Sequence, residues 1–343
     1  MKTYLLRARI ALSLVFLAAI CLAAAATVRA DSPLWTAPGP YRVTTAEEIW
    51  HDAARNRDVP VLIYSTQDAP GPLPVVLFSH GLGGSDRAGE HWGRQWASWG
   101  IVSVHMQHHG SDNEAVRNAT GTPMQRMRSA ATAEQLIARG EDVKFVVSEI
   151  ARRAASGDPA LAHVDPAAIG LSGHSFGAQT TLAAAGEQFE KTSVTLTEPR
   201  LRAFIAFCPS ALDENQLDFQ FSQIKAPFLS LTGSRDQANV NRLVTPANRV
   251  LPFEHMAPGQ KYLLFMDTAT HMSFSGQQLS ALAAAAPNAP DQNHIDPVIY
   301  AVTTAFWFAY LEPNSDQGKR AAAWLASGGP KALLNPADRW EAR

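Results

Sequence analysis

Ala168-Ile169-Gly170-Leu171-Ser172-Gly173-His174-Ser175-Phe176-Gly177-Ala178 is the stretch whose reading decides the fold. Residues 168–171 read as a short apolar strand. The next five residues match G-x-S-x-G, and the alanine-rich run 178–185 reads as a helix. A serine flanked by glycines on a sharp strand-to-helix turn is held exposed at a helix N-terminus, where developing negative charge is favoured. Glycine is needed there because side chains would strike neighbouring backbone. Ser175 is therefore the candidate nucleophile.

Outward from this turn, strands and helices alternate. Residues 61–64, 75–78, 101–106, 203–207, 227–231 and 262–266 read as strands, and 90–100, 142–153 and 297–311 as helices. The run Val75-Val76-Leu77-Phe78 is continuously apolar, as in a strand buried on both faces. Such alternation predicts an α/β fold: a mostly parallel central sheet with helices on both faces. Residues 70–74, with three prolines, form a turn. Residues 31–58 are polar and read as a lead-in. Segments 187–200 and 276–296 are irregular and fit loops over a site better than domain boundaries. The expectation is one domain over residues 31–343.

A serine attacking a carbonyl needs two N–H donors for the oxyanion, and a base oriented by an acid. One donor is the residue after the nucleophile, Phe176. The other belongs on the loop after an early strand, and Ser79-His80-Gly81-Leu82-Gly83-Gly84 offers Leu82. His80 reads as structural, because in this arrangement the chain order is nucleophile, acid, base. Asp236 follows the strand at 227–231 and is the candidate acid. His271 follows the strand at 262–266 and is the candidate base. The spacings are 61 and 35 residues. Competitors are Asp267, which reads as a strand-end residue, and Glu198, on the loop before the 203–207 strand. His294 reads as part of a helix entry in which Asp296 caps and Pro297 opens the helix.

Composition narrows the classes. Of 343 residues 46% are apolar and 17% charged, with a formal net charge of -2. That excludes a highly charged disordered chain and gives no basic footprint for nucleic acid. Lys2, Arg7 and Arg9, the uncharged run 10–26 and Val28-Arg29-Ala30 before Asp31 form a signal-peptide pattern with cleavage expected after Ala30. Its 17-residue apolar run is at the short limit for a membrane span. Cleavage would leave 25 cations against 31 anions, one cysteine (Cys208) and no stable membrane anchor. The expected location is secreted or periplasmic, stabilised by a core rather than by disulfides.

Three further features carry less. His105, His108 and His109 are weighed as metal ligands, but i, i+3, i+4 spacing suits a metal on a helix, and this is a strand end. A solvated or substrate-facing loop is expected there, and no metal. Trp92, Trp96 and Trp99 repeat at helical spacing and read as core. No phosphate-binding Gly-rich loop is present, and no cofactor is implied.

Together, Phe78-Ser79-His80-Gly81-Leu82-Gly83, Gly173-His174-Ser175-Phe176-Gly177 and His271-Met272-Ser273-Phe274 resemble the α/β-hydrolase superfamily. Within it, the chain is similar to the branch of platelet-activating-factor acetylhydrolases and predicted dienelactone hydrolases, over about residues 60–311. The resemblance implies oxyanion N–H groups at Leu82 and Phe176. Two departures stand out. Animal acetylhydrolases carry their acid after the strand that follows the nucleophile helix. Here that strand ends Phe204-Ile205-Ala206-Phe207-Cys208 with no Asp, which points to Asp236. Dienelactone hydrolases use Cys, and here the residue is Ser175. The expected function is an exported serine hydrolase cleaving small or polymeric carboxylic esters, with Met272 and Phe274 in an apolar substrate wall. Alternatives are a lipase or phospholipase, a polyester hydrolase, an amidase or peptidase, and a non-catalytic binding protein.

Overall fold

The computed structural model describes residues 35–343 apart from 191–193, 212, 239–243, 278–285 and 287. The expected leader at residues 1–30 lies outside the described residues, as do parts of the two expected site loops. No described helix is long and apolar enough to cross a membrane.

Among the described residues nine strands form one sheet: β1 (Thr44–Asp52), β2 (Arg57–Ser65), β3 (Leu73–Ser79), β4 (Val102–Met106), β5 (Val164–His174), β6 (Leu201–Phe207), β7 (Phe228–Arg235), β8 (Lys261–Thr270) and β9 (Arg339–Ala342). Their spatial order is β1-β2-β4-β3-β5-β6-β7-β8-β9. From β4 to β8 the ladders are parallel; β1, β2 and β9 join antiparallel at the edges. This is the α/β-hydrolase fold that the sequence predicts. The chain leaves β3 for β4 on one side and returns to β5 on the other. The carboxyl ends of β3 and β5 therefore open onto a crevice at a switch point, the usual ligand position in such sheets.

The helices are α1 (Glu90–Ser98), α2 (Asn113–Asn118), α3 (Pro123–Ser129), α4 (Ala133–Ser156), α5 (Phe176–Ala185), α6 (Leu217–Phe221), α7 (Leu251–His255), α8 (Gln292–Leu311) and α9 (Asp316–Ala326). Strand alternation sorts the core into two layers. Val61, Ile63, Val75, Leu77, Ile169 and Leu171 pack with Val143, Val146 and Ile150 of α4 and Leu182 of α5. Leu62 and Tyr64, one residue out of step, meet Ala97 of α1 on the opposite face. There Trp96 of α1 packs edge-on to Trp307 of α8 at 5.8 Å and donates its indole N–H to Thr303 Oγ1 at 3.0 Å. Trp92 and Trp96 are core, as expected, but Trp99 is not: it is only half-buried at the C-cap of α1, with its indole N–H donating to the Ala37 carbonyl at 3.1 Å.

Two expectations are corrected here. The lead-in 31–58 contains all of β1, whose exposed Thr-Thr-Ala-Glu-Glu start buries only Trp50 and Asp52. An edge strand with a charged solvent face carries no apolar alternation to read. The helix expected at 297–311 starts at Gln292, not Pro297, with Asp291 in the N-cap position, and a further helix, α9, follows it. Pro297 sits inside the helix, and Asp296 accepts from Gln292 Nε2 at 2.6 Å instead of capping.

One buried carboxyl yields a stability test. Glu187, just past α5, is 6% exposed, and its Oε2 has no hydrogen-bond partner among the described residues. Burial pushes its pKa up from 4.5 to about 8. The folded state thus holds this proton more tightly than the unfolded chain. The stability it contributes is full below about pH 4.5 and is lost as pH rises toward 8, about 3 kcal/mol by pH 7. Glu187→Gln should raise the melting temperature at pH 8 but not at pH 4.5. An equal difference at both pH values would show that this carboxyl does not titrate in that window.

Candidate active site

Ser175 stands between β5 and α5 with φ 58° and ψ −113°, a backbone conformation that a non-glycine residue adopts only under strain. Its neighbours make the turn possible. A Cβ on Gly177 would lie 1.8 Å from the Ser79 carbonyl oxygen, and one on Gly173 would lie 2.3 Å from the Gly177 oxygen. The turn is pinned by the Ser175 N–H, which donates to the Phe207 carbonyl of β6 at 2.9 Å.

Three segments converge on the hydroxyl. His271 opens the 3-10 turn His271–Phe274 directly after β8. Its Nε2 is 2.9 Å from Ser175 Oγ, and its Nδ1 is 2.8 Å from Asp236 Oδ1. Asp236 follows β7 and is fully buried; Thr232 Oγ1 donates to its Oδ2 at 2.8 Å. With Nδ1–H donating to the carboxylate, Nε2 is left to accept the serine proton. Burial alone would raise the Asp236 pKa. The hydrogen bond from His271 and the charge of Arg249 outweigh it and hold the carboxyl down at about 2. The group is an anion at any working pH.

Sequence reasoning missed Arg249. It is buried, and its Nε lies 3.2 Å from Asp236 Oδ1. Its Nη1 donates to the Cys208 carbonyl at 2.7 Å, and its Nη2 lies 3.2 Å from His271 Nδ1. Nothing in the local sequence marks it: it arrives from the 3-10 turn Asn248–Val250, 13 positions after Asp236 and outside any motif. His174 was also unmarked. Its Nε2 lies 3.0 Å from the His271 carbonyl and fixes that turn. Burial first, then the neighbouring imidazole, lowers its pKa to about 3, so it is neutral. Among the described residues His174, Cys208 and His271 could offer metal ligand atoms within 4.8 Å of one another. Here both His271 nitrogens are engaged, and burial keeps the Cys208 thiol protonated.

The competing acids sit elsewhere. Asp267 accepts from Ser234 Oγ at 2.7 Å. Glu198 pairs with Arg200 Nε at 2.8 Å. His294 lies 2.7 Å from Asp338. None joins the Ser175–His271 pair.

The loop after β3 passes over the serine. A Cβ on Gly81 would come within 3.4 Å of Ser175 Cβ. Among the described residues the Leu82 N–H has no acceptor, and Phe176, as first residue of α5, has none within its helix. Both donors border a cavity of about 390 Å³ that also takes in Ser175, Met127, Val244 and Met272.

The histidine cluster departs from expectation. His105 and His108 are fully buried, not solvated. His105 bonds to the Ala88 carbonyl at 2.7 Å and to Ser103 Oγ at 2.9 Å. Two of the three rest on carboxylates: Asp142 lies 3.0 Å from His108 and Asp112 3.1 Å from His109. Asp142 arrives from α4, 34 positions along the chain, and spacing within the cluster could not reveal it; Asp112 lies three residues after His109 in the same loop and was there to be read. Phe274 is also corrected. It is buried away from the cavity, and its carbonyl accepts from Trp92 Nε1 at 3.2 Å. Met272, 45% exposed, does line the cavity. No described residue of 187–200 borders it, whereas Met127 of the short helix α3 and Ala131 just after it do.

Residues 43–156 match the family model of platelet-activating factor acetylhydrolase, isoform II. The matched stretch runs from β1 to the end of α4. It includes the Ser79–Gly84 loop and stops before the Ser175 turn. No curated protein matches the chain significantly. Over that stretch the chain is similar to the platelet-activating-factor acetylhydrolase family, the sheet is that of an α/β-hydrolase, and together they support a lipase- or esterase-type hydrolase.

Proposed function

We propose that this lipase- or esterase-type chain cleaves carboxylic esters through an acyl-enzyme on Ser175, with His271 as base and Asp236 as acid. The observation that carries this reading is the unbroken relay of 2.9 Å and 2.8 Å from the serine to a buried carboxylate. Ser175 Oγ attacks the ester carbonyl carbon while its proton passes to His271 Nε2. The carbonyl oxygen becomes an oxyanion between the Leu82 and Phe176 N–H groups, at the N-terminus of α5. Collapse breaks the carbon–oxygen bond, and the alcohol leaves with the proton from Nε2. A water then gives a proton to Nε2 and attacks the acyl carbon. Ser175 departs with that proton and the acid is released. The scheme needs no cofactor.

Leu82, Met127, Phe176, Val244 and Met272 supply apolar surface beside the serine, which suits short-chain, aromatic or polymeric acyl groups. The test is turnover over p-nitrophenyl esters of increasing chain length, with labelling of the serine by an organophosphonate. Short esters should be cleaved best. A maximum at long chains, rising sharply above the micelle concentration, would move the reading to a lipase. Absence of both turnover and labelling would sink it. We further propose export of the mature chain beginning at Asp31, which N-terminal sequencing of protein from the culture medium and the periplasm would check.

A further inference from the structure

Beneath the Ser79–Gly84 loop lies a charge that the proposed chemistry does not use. Arg139 of α4 is fully buried, and no carboxylate lies within ion-pair distance of it among the described residues. Its donors go instead to neutral oxygens on separate segments. Nε donates to Thr180 Oγ1 of α5 at 2.9 Å, and Nη1 to Ser111 Oγ at 2.8 Å. Nη2 donates to Ser79 Oγ at 3.1 Å and to the His80 carbonyl. The guanidinium carbon also stands 4.7 Å from the centre of the Phe176 ring.

Each partner leads to an oxyanion donor. Thr180 Oγ1 donates in turn to the Phe176 carbonyl at 3.2 Å. The His80 carbonyl lies two residues before Leu82. The Ser111 carbonyl accepts from the Gly83 N–H, one residue after Leu82, at 2.9 Å. Burial lowers the Arg139 pKa to about 9, against the opposing charges of Asp142 and Asp112. A buried cation without a direct anionic partner costs stability that an apolar side chain of similar size would not.

We propose that Arg139 is a positioning residue for the oxyanion donors. Its planar fork ties the Ser79–Gly84 loop to the first turn of α5, and so sets the separation of the Leu82 and Phe176 N–H groups. These two N–H groups lie 94 positions apart in the chain. This inference rests on the acyl-enzyme reading above, since it concerns a charge formed only during that reaction.

The test is a set of variants read with one small p-nitrophenyl ester and an alkyl boronic acid, which forms a tetrahedral adduct on the serine. Arg139→Met should lower kcat about 100-fold with KM within about twofold, because the lost interaction forms in the transition state. Boronate affinity should fall in parallel. Arg139→Lys keeps the charge but cannot span the same oxygens, and should stay at least about tenfold below wild type. Should Arg139→Met fail to fold, Thr180→Val removes a single tie and is expected to lower kcat about tenfold at constant KM. The inference is overturned by an unchanged kcat in a folded Arg139→Met or in Thr180→Val, by a loss confined to KM, or by full recovery in Arg139→Lys. A wild type that neither turns over esters nor reacts with phosphonate overturns the acyl-enzyme reading, and this inference with it. An active wild type with unaffected variants overturns only the inference.

Discussion

Ser175→Ala is expected to lower ester turnover by about 10⁶-fold, the typical loss on removing a triad nucleophile. Stoichiometric phosphonate labelling should vanish with it. The fold should survive, because among the described residues the Ser175 hydroxyl bonds only to His271 and the turn is pinned by the backbone N–H, which alanine keeps. Alanine must still adopt φ 58°, a strain the serine already carries. Thermal unfolding should therefore stay close to wild type. Near-native turnover in a folded Ser175→Ala would show that another group is acylated. Residual turnover of a few parts per million would instead report what the Leu82 and Phe176 donors and the cavity achieve alone.

The second large effect separates the acids. Asp236→Asn keeps the side-chain shape but can donate to Nδ1, leaving His271 with its proton on Nε2 and unable to take the one from Ser175. The comparable change in a serine protease costs about 10⁴ in turnover, and a similar loss is expected here. The variant also removes the anion 3.2 Å from buried Arg249. Arg249 keeps the Cys208 carbonyl at 2.7 Å, so folding should persist with a lowered melting temperature. Asp267→Asn and Glu198→Gln should remain within about tenfold of wild type, about 1.4 kcal/mol in barrier. Their partners are Ser234 and Arg200, not His271. If Asp236→Asn stays within that range while either of the others collapses, the acid is wrongly assigned.

Much of the fold was legible because parallel strands buried on both faces must be apolar throughout. The runs at 75–78, 203–207 and 262–266 announce themselves in that way. β1 and β9 were not legible. As edge strands they bury one face or less: the inward positions of β1 are Ala46, Glu48, Trp50 and Asp52, with Ile49 outward, so residue type does not follow burial, and β9 buries only Trp340. The short helices α2 and α3, with no buried residue between them, likewise left no apolar stripe to find, although the cavity borders on Met127.

For the site, the sequence by itself determined the groups whose identity follows from local backbone. The G-x-S-x-G turn marks Ser175 because only glycine tolerates the backbone contacts at 173 and 177. Strand ends in a fixed order mark Asp236 and His271 as candidates. Tertiary structure alone decided which candidates meet, since hydrogen-bond distance between residues 35 or 96 positions apart depends on strand register. It alone showed that Arg249 stands beside Asp236 and that His108 rests on Asp142. It also showed that Arg139 lies under both candidate oxyanion donors. A buried charge is placed by partners from several distant segments, and no single stretch of sequence holds them together.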